Sequence, residues 1–139
     1  MKLKIVLEEE AIMPSRAHDL DAGYDLFSRE DGTVYQNAGG KFDTGVHIEI
    51  PEGYVGFIKS KSGLHVKSGI QADGVIDAGY TGSICVLLRN HGPRAVEIKK
   101  GQKIAQLVIL PIITPELEVV DRLEDTERGE GGFGSTGLF

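Results

Sequence analysis

At 139 residues the chain has room for one domain and one core. Hydrophobic residues at 40% and charged residues at 26% place it among folded globular chains rather than disordered ones. A net charge of −6 with no Lys/Arg-rich run argues against nucleic-acid binding, which needs a basic face, but leaves room for a small anionic ligand held by local positive charge and a metal.

The N-terminal MKLKIVLEEE alternates and then turns acidic. It does not read as a signal peptide, and no apolar run is long enough to cross a membrane, so a cytoplasmic protein with no membrane partner is expected. His18-Asp19-Leu20-Asp21 has the composition of a capped turn. Val46-His47-Ile48-Glu49-Ile50 alternates cleanly, which predicts a half-buried strand with His47 on its solvent side. Leu64-His65-Val66-Lys67 supports at most a single helical turn. Further strands are predicted at 54–58, 84–88, 104–110 and 117–120, punctuated by Pro51-Glu52-Gly53, Asn90-His91-Gly92-Pro93 and Lys99-Lys100-Gly101. Many short, closely spaced strands predict an all-β barrel or sandwich. Cys85 is the only cysteine, so there is neither a disulfide nor a cysteine-based metal cluster; within Ile84-Cys85-Val86-Leu87-Leu88 it reads as a buried core thiol. The four histidines show no metal-ligand spacing, and none is assigned to catalysis.

The composition changes at Glu124, where the chain becomes charged and then glycine-rich through Arg128-Gly129-Glu130-Gly131-Gly132-Phe133-Gly134-Ser135-Thr136-Gly137. The division expected is a barrel domain at 1–123 and a mobile C-terminal arm at 124–139. Glycines let successive N–H groups converge on an anion, and Arg, Ser and Thr add donors of their own. The stretch lacks the Gly-Lys-Ser/Thr ending of a Walker A loop.

Five segments carry the chemistry: Ala22-Gly23-Tyr24-Asp25-Leu26, Lys61-Ser62-Gly63-Leu64, Gly74-Val75-Ile76-Asp77-Ala78-Gly79-Tyr80-Thr81-Gly82, Gly101-Gln102-Lys103-Ile104-Ala105-Gln106, and the glycine-rich arm. In that order, over positions 22 to 137, they resemble the five motifs of the homotrimeric dUTPase family. The resemblance implies a jelly-roll-like β-barrel with a glycine-rich C-terminal arm, a homotrimer with active sites between subunits, and hydrolysis of dUTP to dUMP and pyrophosphate with Mg²⁺ as cofactor.

Residue by residue, the resemblance implies that the backbone of Gly74, Val75 and Ile76 receives the uracil edge, with Gln71 nearby. A backbone edge fixes donor and acceptor positions, so cytosine would leave buried groups unpaired. Tyr80 is expected to lie against the deoxyribose and exclude a 2′-hydroxyl. Asp77 is expected to be the general base that activates water for attack at the α-phosphorus, and Gln106 to bind near that phosphate and the water. Ser62 and the N–H of Gly63 are expected on the phosphate oxygens, and Asp25 on the metal through water. In the arm, Arg128, Gly134, Ser135 and Thr136 are expected at the γ-phosphate, and Phe133 stacked on the uracil. Position 61 departs from the pattern: Lys61 stands where the family usually has Arg, keeping the charge but losing the bidentate fork.

Two other readings fit less well. A related dCTP deaminase would carry Glu as the base at the ring, whereas the third segment offers Asp77. A dUTP-dependent regulatory or binding trimer, acting through an unidentified protein partner, would not require every catalytic side chain at once.

Overall fold

The computed structural model describes all 139 residues, almost wholly as strands and turns. The strands are β1 (Lys4–Leu7), β2 (Gly23–Phe27), β3 (Gly32–Val34), β4 (Gly39–Asp43), β5 (Val46–Glu49), β6 (Tyr54–Ser60), β7 (Ile70–Ile76), β8 (Cys85–Asn90), β9 (Val96–Ile98) and β10 (Lys103–Pro111), with one helix, α1 (Ser62–Ser68), between β6 and β7. Six strands form a curled sheet in the order β2-β10-β6-β7-β8-β4, and β1-β5 and β3-β9 are two-stranded sheets that complete a jelly-roll-like β fold. Every ladder is antiparallel. No helix is long and apolar enough to cross a membrane.

Period-2 alternation decides what each strand buries. In β8, Val86, Leu88 and Asn90 point inward, and Cys85, Leu87 and Arg89 point outward. Cys85 is therefore exposed rather than a core thiol: the apolar run 84–88 feeds Ile84, Val86 and Leu88 to the core and leaves the residues between them outside. Leu26, Ile58, Ile70, Ile98, Ile104 and Leu107 join them in one continuous core.

Two predicted elements differ from the structure. The segment 62–68 makes a full seven-residue helix, because Gly69 closes it in the left-handed conformation (φ 71°) and returns its N–H to the His65 carbonyl at 2.8 Å. A Cβ at Gly69 would also sit 2.5 Å from the Gly92 nitrogen, so both backbone shape and space require glycine. The stretch 117–120 forms no strand; Leu117 and Val119 are almost fully exposed, because no strand of the same chain lies beside them. The last backbone bond tying the C-terminal part to the barrel runs from Ile112 N–H to the Gly53 carbonyl (2.8 Å).

One buried polar side chain joins two sheets. Asn90 has no exposed surface, donates to the carbonyls of Val34 (2.9 Å) and Arg94 (2.7 Å), and accepts from the Gly92 N–H (2.8 Å). Asn90→Leu would preserve volume but strand those three backbone groups, each costing about 1–3 kcal/mol if left unpaired. A loss of roughly 3 kcal/mol is expected in equilibrium denaturation at fixed protein concentration.

Candidate active site

Strand β7 sets the geometry. Its first half pairs with β8, from Ile70↔Asn90 to Ala72↔Leu88. Its second half pairs with β6, from Lys59↔Asp73 to Gly56↔Ile76. Past Ala72 the strand has left β8, so its β8-facing edge at Gly74, Val75 and Ile76 carries no ladder. Val75 is more than half exposed. An unladdered edge offers backbone N–H and C=O groups to a planar ligand with its own donors and acceptors.

Beyond Ile76 the chain turns through Asp77-Ala78-Gly79, with Gly79 at φ 91° and the Tyr80 N–H bonded to the Asp77 carbonyl at 3.1 Å. Asp77 is exposed at the tip. The Tyr80 hydroxyl donates to the Ser83 carbonyl (3.0 Å), fixing the ring over the loop. Val75, Ile76, Asp77, Tyr80, Ser83 and Cys85 surround an open pocket of about 250 Å³. Gln71, at the start of β7, is exposed, and its side-chain oxygen lies 2.8 Å from His91 Nε2. Asp73 is exposed as well and pairs with Lys59 at 3.0 Å.

A second cluster lies at the other end of β6. Asp25 and Gln106 face each other directly across the β2–β10 ladder. Gln106 Nε2 donates to the Ser60 carbonyl (2.9 Å), which ties its amide to the chain just before Lys61. A side chain at Gly23 would run into the Gln106 amide, so this glycine clears the space that Gln106 occupies. Between Lys103 and Ala105 the β2–β10 register shifts, giving β10 one extra residue. The bulge buries Ile104 and Ala105 in succession and leaves Lys103 on the Asp25 side.

Asp25 is only 4% exposed and is held between two ammonium groups, Lys61 Nζ at 2.5 Å and Lys103 Nζ at 2.8 Å. Burial pushes its carboxyl up, but hydrogen bonds from Lys103 and Lys61 outweigh burial and hold it below the usual aspartate value. Lys61, the departure from the family pattern, thus spends its charge on Asp25. Ser62 and Gly63 open α1 and are exposed, and a Cβ at Gly63 would meet only open space. The first N–H groups of a helix have no partner within it, so those of Ser62 and Gly63 are free to bind oxygen.

No three His, Cys, Asp or Glu side chains stand together in a way that could hold a metal ion. Asp25 keeps lone pairs for a water beside the two lysine contacts. This donor set does not fit a metal caged by protein. It fits Mg²⁺ carried by phosphates and touching the protein through water at one carboxylate.

The arm lies apart from both clusters. Local turns shape it: Arg128 Nε donates to the Gly131 carbonyl (2.9 Å), and the N–H groups of Ser135 and Gly137 bond back to Gly132 and Gly134. Phe133 adopts a left-handed φ of 46° and is fully exposed; Gly134, Ser135 and Thr136 are exposed beside it. A single chain therefore brings Asp25, Lys61, Ser62, Gly63 and Gln106 together and sets Gly74, Val75, Ile76, Asp77 and Tyr80 in a second group. It does not join the two. The pairing of Lys59 with Asp73 and of Gly56 with Ile76 puts them at opposite ends of the β6–β7 ladder, whose end pairs lie about 10 Å apart at a strand rise of 3.3 Å. Sequence reasoning missed Lys103, His47 and His91, whose partners lie far away along the chain.

Comparison with known proteins identifies the family. The family model described as dUTPase matches residues 9–137. The deoxyuridine 5′-triphosphate nucleotidohydrolase of Clostridium tetani is 46% identical over 140 residues, covering 99% of this chain and 96% of its own. That of Arabidopsis thaliana is 45% identical, covering 95% and 80%. Among solved structures, a mutant dUTPase of Staphylococcus bacteriophage 80alpha with dUpNHpp is similar at a TM-score of 0.92, with 36% identity and 99% of both chains covered. A mutant dUTPase from phage phi11 of S. aureus, described for the coordination of a structural Mg(II) ion, is similar at 0.83, with 35% identity and 90% and 100% covered. A family model matched over nearly the whole length, relatives this close and a shared β fold mean that the chain belongs to the dUTPase family of enzymes.

Proposed function

We propose that the protein hydrolyses dUTP to dUMP and pyrophosphate at sites assembled between copies of itself in a homotrimer, with Asp77 as the general base. The observation that supports the assembled site is the separation of the exposed β7 loop from the Asp25–Gln106 cluster at the other end of the β6–β7 ladder. Closed cyclic assembly can set the loop of one copy against the cluster of another. The exposed Leu117, Val119 and Leu123 supply apolar surface for a neighbouring subunit.

In this reading the free edge at Gly74, Val75 and Ile76 takes the uracil, with Gln71 beside it, and Tyr80 closes against the deoxyribose. Ser62 Oγ and the Gly63 N–H bind phosphate oxygens, and Lys61 sets the local potential through Asp25. Gln106 orients water at the α-phosphorus, and Asp77 of another copy accepts the proton as the water attacks. The bond to pyrophosphate then breaks. Mg²⁺, when bound, would offset the negative charge of the triphosphate, with Asp25 reaching it through water. Residues 124–139 form a separate closing arm, in which Arg128, Gly134, Ser135 and Thr136 bind the γ-phosphate and Phe133 stacks on the base. Exposure of an aromatic ring on a glycine-rich segment supports that role, because base–aromatic stacking contributes about 1–3 kcal/mol.

Pyrophosphate release in the presence of Mg²⁺, compared across dUTP, dTTP, dCTP and UTP, tests the activity: dUTP alone should turn over to dUMP. Ammonia release from dCTP would move the chain to the deaminase reading. Asp77→Asn should lower kcat by at least about 10²-fold while dUTP binding persists, since the isosteric amide cannot accept the proton; a near-normal rate would remove Asp77 from the mechanism. Truncation after Leu123 should preserve the barrel and the trimer, by circular dichroism and sedimentation, yet cripple hydrolysis. Full activity in the truncated protein would make the arm dispensable.

A further inference from the structure

His47 lies on β5, away from every residue assigned above, and its ring joins the β7–β8 loop to the N-terminal strand. Nδ1 is 2.7 Å from the carbonyl oxygen of Thr81, the residue after Tyr80. Nε2 is 2.7 Å from Glu8 Oε1, just beyond β1. A carbonyl and a carboxylate are both acceptors, and a neutral imidazole has only one N–H. Only the imidazolium satisfies both contacts at once. In the neutral ring, one nitrogen lone pair faces either the Thr81 carbonyl or the Glu8 carboxylate.

The loop held in this way has few other supports. Ser83 Oγ donates to Asp43, which also pairs with Arg29, and Arg29 bonds Glu8 at 2.6 Å. The Ile84 N–H bonds the Val46 carbonyl (2.8 Å), and Thr44 Oγ1 donates to the Ile84 carbonyl (2.7 Å). Those bonds anchor the loop's C-terminal end. Thr81, next to the sugar-facing ring, is held by His47.

We infer that His47 is a positioning residue: its imidazolium clasps the Thr81 carbonyl to Glu8 and so fixes Tyr80 against the sugar, making the preference for dUTP over UTP dependent on the charge of a histidine outside the active site. The inference rests on the proposed role of Tyr80. The charged groups around the ring are Glu8 beyond β1, Asp43 at the end of β4, Arg29 after β2, and the Lys4–Glu49 ion pair on the rim of the hollow beside β1 and β5. The hydrogen bond to Thr81, and next the one to Glu8, raise the imidazole above its ordinary value. A raised histidine contributes fully below the unfolded value near pH 6.5, and its contribution is lost as pH rises through the higher folded value. The clasp is therefore closed on the acid side and opens toward alkaline pH.

The test follows the ratio of kcat/KM for dUTP to that for UTP across pH 6 to 9. Ionisation of the triphosphate, being common to both substrates, cancels in this ratio. The wild type should lose discrimination by about fivefold or more as pH rises, mainly through the KM for dUTP. His47→Gln, which cannot titrate, should show a lower and flat ratio. Glu8→Gln should move the wild-type transition to lower pH. Amide NMR of the wild type provides a readout independent of turnover: the Tyr80, Thr81 and Ser83 signals should shift along the same titration curve as the His47 ring. A flat wild-type ratio, or loop amides indifferent to the His47 titration, would overturn the inference. If the wild type hydrolyses no nucleotide, the proposed function fails, and the amide titration still decides whether His47 holds the loop.

Discussion

Everything at the candidate site follows from β7 exchanging one neighbour for another in mid-strand. While it pairs with β8 it belongs to the interior of the sheet, and Ile70 and Ala72 are buried there. Once it crosses to β6 the opposite edge is left without a ladder, and the chain runs on into an eight-residue loop, 77–84, before β8 begins. An unpaired edge inside an otherwise closed sheet is normally a liability, open to another strand. Here it is short, residues 74–76 only, and bordered by the Tyr80 loop. The partner switch also produces the distance between the two clusters. The β7 edge and the start of α1 thus lie at opposite ends of the β6–β7 ladder, the separation on which the proposed inter-subunit site rests.

Charge is distributed with similar economy. The chain is acidic overall, yet two lysines converge on one nearly buried carboxylate. Burying a lone carboxylate would be costly, and a pair of lysines more than compensates. The result is a cluster of net positive charge beside the exposed start of α1, where an anion can approach. Arg at position 61 could form a bidentate contact with Asp25 and leave less room for Lys103. With Lys, the point charge needs only one oxygen, and the second oxygen remains for Lys103.

Those features explain what could be read from the chain and what could not. The strands at 46–50, 54–58 and 104–110 announced themselves by alternation or by apolar runs flanked with turn residues, and they appear as β5, β6 and β10. The turn at His18–Asp21 closes as its composition suggested, through the His18 N–H to the Asp21 carboxylate. Cys85 was misjudged because an apolar run hides its own phase: whether even or odd positions face inward depends on the partner strand, β4 pairing Asp43 with Cys85, and not on the run itself. The segment 117–120 has strand composition without a strand, since a ladder needs a second edge that the single chain does not provide. His47 lies on the outward side of β5 as its alternation predicted, but its bonding partners were not legible in the sequence. Its partners Glu8 and Thr81 are 39 and 34 positions away, and only the closed fold brings them within bonding distance.

The two clusters also differ in how they are stiffened, and that difference bears on function. The Asp25–Gln106 group rests on adjacent ladders of the sheet and on a bulge, so its geometry is as rigid as the core beneath it. The Asp77–Tyr80 loop stands outside the ladders and is held by side chains: Ser83 to Asp43, Tyr80 to the Ser83 carbonyl, and His47 to Thr81. Phosphate geometry is common to all nucleoside triphosphates, and a rigid site loses nothing by being indifferent to the base. In the proposed reading, discrimination between a 2′-hydrogen and a 2′-hydroxyl, a difference of one atom, depends on how firmly the Tyr80 ring is pressed home. That reading concentrates selectivity in the part of the structure whose stiffness comes from polar contacts, and such contacts, unlike a strand ladder, can be altered by one proton.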